Sequence, residues 1–231
     1  MCLPIAMKPT TLLATALIPD TRTELKLFEH DGVYSITIQG RGELMNTRVH
    51  GSEIALADLA CAKMQATDSA RVLVGGLGMG FTLAAALKAT GPEAEVVVAE
   101  LVPEVVQWNR EIMGAPSGHP LDDPRSTVYL GDVADLVRES QHGQFDAILL
   151  DVDNGPEAMI RKQNQWLYTI PGLEAARQKL RTGGVLAVWS AGPDQMFRAR
   201  LRHAGCRVEE HIVRPHRKGR GARHVIWLAS P

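Results

Sequence analysis

Between Arg71 and Ser190 the chain repeats one pattern five times: a short apolar run, a turn, then a helix-like segment. The runs are RVLVGG (71–76), AEVVVAE (94–100), STVYLGD (126–132), FDAILLD (145–151) and VLAVWS (185–190). Near-continuous Val, Ile and Leu demand burial on both faces of a strand, and intervening helices supply the cover. The pattern therefore predicts an α/β fold, a doubly wound and mostly parallel sheet. The helices read as FTLAAALKATG, ended by Gly91-Pro92, and PEVVQWNREIMG, opened by Pro103 and closed by Gly114. VADLVRES, GLEAARQKLRTGG (ending at Gly183-Gly184) and PDQMFRARLRHAG follow. RVEEHIVR and RHVIWLA come last with no helix between them, which predicts an antiparallel C-terminal edge hairpin.

The first fifty residues read differently. ELKLFEHDGVYSITIQG (24–40) alternates apolar and polar residues around Asp31-Gly32, a strong hairpin signal. MKPTTLLATALIPD (7–20) reads as a strand ending in a Pro19-Asp20 turn, preferred over a weak secretory leader, with Met7 a possible natural start. HGSEIALADLACAKM (50–64) reads as a helix with Ser52 as N-cap and a buried stripe of Ile54, Leu56, Leu59 and Ala60. The expected organisation is an N-terminal β-hairpin lobe over 1–49 and a Rossmann-like domain over 50–231. A chain of 231 residues can bury one sizeable core plus such a lobe. A net charge of −1 gives no global field to recruit nucleic acid or a membrane surface. Cys2, Cys61 and Cys206 are odd in number and far apart, which argues for a reducing, cytoplasmic setting. No apolar run approaches the ~20 residues that span a bilayer.

The chemistry gathers at strand ends. In a doubly wound sheet, ligands sit beyond the carboxyl ends of the strands, near the point where strand order reverses. Gly76, Gly78 and Gly80 form a G-x-G-x-G turn after the first run, suited to close approach of a nucleotide-like ligand. Glu100 closes the next run, 20 residues after Gly80, where a carboxylate can accept both ribose hydroxyls. Asp132 closes the third, placed to accept from an adenine amino group, and Asp151 closes the fourth. Leu101 and Val133 follow two of these acids and complete the cofactor-binding candidates. Any one acid alone reads as a helix cap; three in succession beside a glycine turn read as a site. No P-loop Lys-Ser/Thr is present, which disfavours ATP or GTP hydrolysis. No H-E-x-x-H or Cys/His cluster points to a metal.

This order and spacing resemble class I S-adenosylmethionine-dependent transferases. VLVGGLGMG, VVVAELVPEVVQWNR, DDPRSTVYLGDVADLV, FDAILLDVDNGP and LRTGGVLAVWS, after a β lobe and a linking helix, resemble the spermidine synthase family from about Glu24 to Ser190. The resemblance implies an adenosyl donor, S-adenosylmethionine or its decarboxylated form, held at the glycine turn with Glu100 on ribose and Asp132 near adenine. It implies that Asp151 orients or deprotonates an attacking amine, that Asp153 in the same DVDNGP loop is a second acid, and that the protein is a cytoplasmic homo-oligomer, typically a dimer. Four departures accompany it. Gly78 stands where the family commonly carries an aspartate for the amine end of the decarboxylated donor. The D-S-S-D-P-x-G-P loop is shortened to DVDNGP, the family's tyrosine and glutamate pattern becomes TRVHGSE with Glu53 at the acid position, and VWSAGPD replaces a glutamine-containing stretch.

The expected activity is thus aminopropyl transfer to an amine acceptor. The alternatives are methyl transfer, transfer of the carboxyl-bearing aminopropyl group, or adenosyl binding without catalysis. The basic run RPHRKGRGARH (214–224) reads as a solvated turn rather than a site for RNA or an anionic substrate. Trp108 is expected in the core, Trp166 in the core or in a lid after the Asp151 loop, and Trp189 is a candidate for lining the substrate pocket.

Overall fold

The computed structural model describes residues 9–64, 68–139, 141–152, 164–214 and 223–231. Met7, Asp153 and residues 215–222 of the basic run lie outside the described residues. The chain divides into two compact units, Met1–Val49 and His50–Pro231.

The first unit is an antiparallel meander in the order β1 (Thr11–Leu17), β2 (Glu24–His30), β3 (Val33–Ile38), β4 (Gly42–Asn46). Asp31 and Gly32 both take left-handed backbone (φ 50° and 77°) and close the β2–β3 hairpin by pairing His30 with Val33. That is the two-residue turn whose twist matches paired strands, and it needs Asp-Gly because both positions have positive φ. The register puts Leu25, Leu27, Ile36 and Ile38 on one buried face. Thr11–Leu17 is a strand, as read from the sequence.

The second unit runs α1 (Gly51–Cys61), β5 (Arg71–Gly75), α2 (Phe81–Ala89), β6 (Glu95–Glu100), α3 (Pro103–Glu111), β7 (Ser126–Leu130), α4 (Val133–Glu139) and β8 (Phe145–Leu150). It continues with α5 (Ile170–Lys179), β9 (Leu180–Ser190), α6 (Gln195–His203), β10 (Arg207–Val213) and β11 (His224–Ser230). The strands form one sheet of seven in the order β10-β11-β9-β8-β5-β6-β7. The five from β9 to β7 are parallel, and β11 is antiparallel to both β9 and β10. The doubly wound sheet and its antiparallel edge hairpin are therefore as the sequence predicted.

Alternation across the pleat divides the core. Leu73, Ile148, Leu150, Leu186, Val188 and Trp227 join Tyr168, Leu173, Phe197 and Leu201 in one buried cluster. Val72, Val74, Ala147, Leu149 and Ala187 are buried as well, at the intervening positions of β5, β8 and β9, and α1 packs on β8, β9, β11 and α2. All six residues of β8 are buried, each large aliphatic side chain stabilising by about 1.5–3 kcal/mol. The first strand of the sheet, β5, lies inside it with β6 on one side and β8 on the other, so strand order reverses there.

Two local readings need correction. The helix expected to run to Gly183-Gly184 ends at Lys179, and 180–184 belong to β9. Leu180 already pairs with Phe145, and the register then jumps to Ala147–Val185, so Arg181–Gly184 form an irregularity inside the strand, with Gly183 at φ 79°. Asp146 braces it by accepting from Arg181 Nη1 and from the Arg71 backbone N–H, both at 2.7 Å. Ser52 is not the N-cap of α1: His50 occupies that position without a capping side chain, and Ser52 is a buried residue of the first turn.

Candidate functional site

The parallel strands deliver their carboxyl ends to one edge of the sheet. Gly76 follows β5, Glu100 ends β6, Asp132 follows β7 and Asp151 follows β8. The sheet thus brings together the candidates that the sequence spread over 76 positions (76–151).

The glycine turn is built as its residues require. Gly76, Gly78 and Gly80 have φ of 92°, 50° and 82°. A Cβ on Gly76 would lie 2.5 Å from the Asp151 carbonyl oxygen, and Asp151 N donates to Gly75 O at 2.9 Å. The turn and the Asp151 strand end are therefore in direct backbone contact, closer than any side chain allows. Gly80 is the N-cap of α2 and offers no capping side chain, so the first-turn N–H groups of that helix face the turn without one.

Asn109, which the sequence reading passed over, braces this turn from α3. Its Nδ2 donates to Gly78 O at 2.8 Å and to Val105 O at 2.9 Å, and the residue is buried. The available signal was a polar residue four positions after Val105 on the buried face of an amphipathic helix. Trp108 is in the core, as expected.

Glu100 is buried and already engaged. Its Oε2 accepts from Leu77 N at 3.0 Å and its Oε1 from Val102 N at 2.9 Å. Burial pushes its carboxyl up, and the amides of Val102 and Leu77 oppose that. The amides of Gly78 and Leu101 act on the same carboxyl in the same direction, so Glu100 is held by backbone N–H groups from both the glycine turn and its own strand end. Glu100 thus stitches β6 to the glycine turn. Leu101, half-buried, follows it. Asp132 Oδ1 accepts from Ala134 N at 2.8 Å, so this acid does cap α4 with one oxygen. Val133 is buried and packs against Gly75, where a Cβ would meet its Cγ2 at 3.0 Å.

Asp151 sits beside two residues from other elements. Thr82, buried in the first turn of α2, donates its hydroxyl to Asp151 Oδ2 at 2.5 Å. Burial first, and the charge of Glu53 second, push the Asp151 carboxyl up to about 7, against the hydrogen bond from Thr82. Glu53, in the first turn of α1, is itself pushed up by burial, and the hydrogen bond from Ser52 does most to oppose it. Two carboxyls that repel each other this way favour holding a proton or a cation between them. His224 Nδ1 lies 3.0 Å from Ser52 Oγ, and its ring meets Trp189 edge-to-face at 4.7 Å. The structure thus brings Glu53 to Asp151 and places Trp189 at the rim of this group. Trp166 lies half-buried under the Arg138 guanidinium, 4.1 Å from its ring centre. Thr82 and His224 carried no sequence signal beyond a helix-start threonine and a strand-start histidine.

Among the described residues no group of three or more His, Cys, Asp or Glu stands close enough to hold a metal ion. Among them, too, no helix is long and apolar enough to cross a membrane.

No protein-family profile matches the chain. Putrescine N-methyltransferase 1 of Nicotiana tabacum is 34% identical over 118 residues, 50% of this chain and 29% of that protein. A polyamine aminopropyltransferase of Corynebacterium efficiens is 32% identical over 151 residues, 61% of this chain and 28% of that protein. The chain thus spans less than a third of the length of these two curated relatives. The solved spermidine synthase of Thermotoga maritima superposes with a TM-score of 0.73 at 17% identity, over 95% of this chain and 72% of its own. The chain therefore has the spermidine synthase fold and is similar in sequence to both polyamine aminopropyltransferases and putrescine N-methyltransferases.

Proposed function

We propose that this chain is a transferase that moves an aminopropyl group from an adenosyl sulfonium donor to an amine. The observation that carries the reading is Asp151: a carboxyl at the strand-order reversal, in backbone contact with the glycine turn, paired with Glu53 and raised to about 7. The turn of Gly76, Gly78 and Gly80 fits a bulky nucleoside approaching backbone, and Glu100 stands at the neighbouring strand end as the acid for ribose hydroxyls. Asp132 retains a second oxygen for an adenine amino group, with Leu101 and Val133 flanking it. An adenosyl sulfonium supplies an activated carbon, so the protein's task is positioning and proton management.

Asp151 and Glu53 draw in the cationic amine. Asp151, with a pKa near neutrality, takes the proton that the nitrogen must lose, and Thr82 holds the carboxyl in place. Asp153 is proposed as a further acid in the same loop. Two observations favour methyl transfer as a second reading: Gly78 replaces the acid that would hold the decarboxylated donor's amine, and putrescine N-methyltransferases are among the relatives. We also propose that 1–49 is a β lobe preceding a catalytic domain over 50–231. The protein acts on a small amine rather than nucleic acid, as a cytoplasmic homodimer.

The test is calorimetry with S-adenosylmethionine and its decarboxylated form, followed by mass spectrometry of a diamine incubated with each. Donor binding with an aminopropylated product supports the proposal. Binding without turnover over a broad amine panel rejects it in favour of a non-catalytic adenosyl-binding protein.

A further inference from the structure

Ser52 is an unusual helix residue. It is 1% exposed, it is not a cap, and its hydroxyl joins two side chains from different ends of the chain. Serines inside helices commonly return their hydroxyl to a backbone carbonyl one turn back. Here Ser52 Oγ donates to Glu53 Oε2 at 2.7 Å and contacts His224 Nδ1 at 3.0 Å, across 172 residues of sequence.

The direction of the chain follows from counting hydrogens. Ser52 Oγ donates to Glu53 Oε2, so its single hydroxyl hydrogen is spent there. The contact with His224 must then be donated by the imidazole, which fixes the proton on Nδ1 and leaves Nε2 bare. The ring cannot turn freely: Trp189 of β9 packs edge-on at 4.7 Å, and His224 is tied to Val213 in the β10–β11 ladder. Burial also holds the imidazole below its ordinary range, so it stays neutral near pH 7.

We propose that Ser52 and His224 are positioning residues for Glu53. His224 Nδ1–H donates to Ser52, and Ser52 donates to Glu53 Oε2, so that Glu53 is held as the ionised partner of Asp151 that receives the cationic end of the amine acceptor. The inference rests on the transferase reading above and deepens it. It assigns recognition of the amine to three elements, α1, β8 and β11, and leaves the donor to the glycine turn. The four residues divide the work: Thr82 donates to one oxygen of Asp151 and Ser52 to one oxygen of Glu53, while the Glu53 and Ser52 backbone N–H groups and the charge of His50 also favour the ionised Glu53.

The test has two arms. In the kinetic arm, Ser52→Ala and His224→Phe should each raise KM for the amine about 10- to 100-fold, the range for loss of a charge-assisted hydrogen bond, with donor Kd within a few fold of wild type. His224→Asn places an amide N–H where Nδ1–H stood and should recover most of the loss. Unchanged amine KM in Ser52→Ala, or equal impairment in His224→Asn and His224→Phe, overturns the proposal. In the second arm, nitrogen-15 NMR of the imidazole reads the network without any substrate. The Nδ1–H tautomer is expected at pH 8, with a shifted His224 titration in Glu53→Gln. An Nε2–H tautomer, or a titration indifferent to Glu53→Gln, overturns it whatever the activity. A wild-type protein that shows the Nδ1–H tautomer but transfers nothing to any amine refutes the transferase reading and the role given to Glu53, while leaving the hydrogen-bond geometry correct.

Discussion

Replacing Asp151 by Asn keeps the shape of the side chain and its capacity to accept from Thr82, and removes only the charge. The carboxyl is raised to about 7 by burial and by the neighbouring Glu53. With that pKa the ionised fraction is about 0.1 at pH 6, 0.5 at pH 7 and 0.9 at pH 8. Turnover of an amine acceptor should therefore rise about tenfold between pH 6 and pH 8 from this group alone, and general-base help of this kind is worth about 10²–10⁴ in rate. In Asp151→Asn we expect the Asp-dependent limb to vanish, kcat to fall at least ~10²-fold, and donor affinity to stay within a few fold. Stability supplies a control with a definite sign. The folded pKa lies above the unfolded value of 3.8, so the folded state binds the proton more tightly and wild-type stability falls as pH rises from about 4 to about 7. Asp151→Asn should lose that dependence and melt higher than wild type at pH 8. Stopped-time assays with a diamine across pH 5.5–9, with melting curves on the same buffers, read both effects. Wild-type kcat with the same pH limb in the Asn variant would refute the base assignment and reduce Asp151 to a turn residue. Equal loss of donor binding and rate would move it to the donor's side of the site.

Three other substitutions probe the surrounding frame. Glu100→Ala removes the acceptor of two backbone amides, so the melting temperature should drop and adenosyl affinity should fall by about one to two decades, read by calorimetry; unchanged affinity removes Glu100 from the donor site. Gly76→Ala forces a Cβ to 2.5 Å from the Asp151 carbonyl at φ 92°, costing about 1–3 kcal/mol from backbone strain alone; a melting curve like that of wild type would show that this contact is wrong. Thr82→Val deletes the hydrogen bond that holds the Asp151 carboxyl down, so the pH limb should move upward by about one unit, and Thr82→Ser should restore it.

Periodicity carried most of the fold. The unbroken aliphatic runs had to be buried strands, and Gly, Pro and Asp-Gly marked where the backbone had to turn. Arg181-Thr182-Gly183-Gly184 looks like a helix stop, which places the end of α5 later than Lys179. In the structure Leu180 pairs with Phe145 before the glycines, and β9 absorbs them as an irregularity pinned by Asp146. A bulge of that kind depends on its partner strand, which a local reading does not see. At the site, the residues that end strands were legible because the sheet's topology forces them to one edge. The residues that hold them were not. Thr82, Asn109, Ser52 and His224 act through contacts between elements 31 to 172 residues apart, and each is an ordinary polar residue in its own segment. Capping is the commonest use of a serine at a helix start, but tertiary packing gives Ser52 different partners, Glu53 and His224.

The most direct test of the account is the product formed from a diamine and decarboxylated S-adenosylmethionine by the purified protein, followed by mass spectrometry of both halves of the reaction. An aminopropylated amine and methylthioadenosine should appear one for one, and both should form at least ~10²-fold more slowly in Asp151→Asn. Methylated amine from intact S-adenosylmethionine, with no product from the decarboxylated donor, would contradict aminopropyl transfer and select the methyltransferase reading. Both donors left intact over a broad amine panel would contradict catalysis altogether.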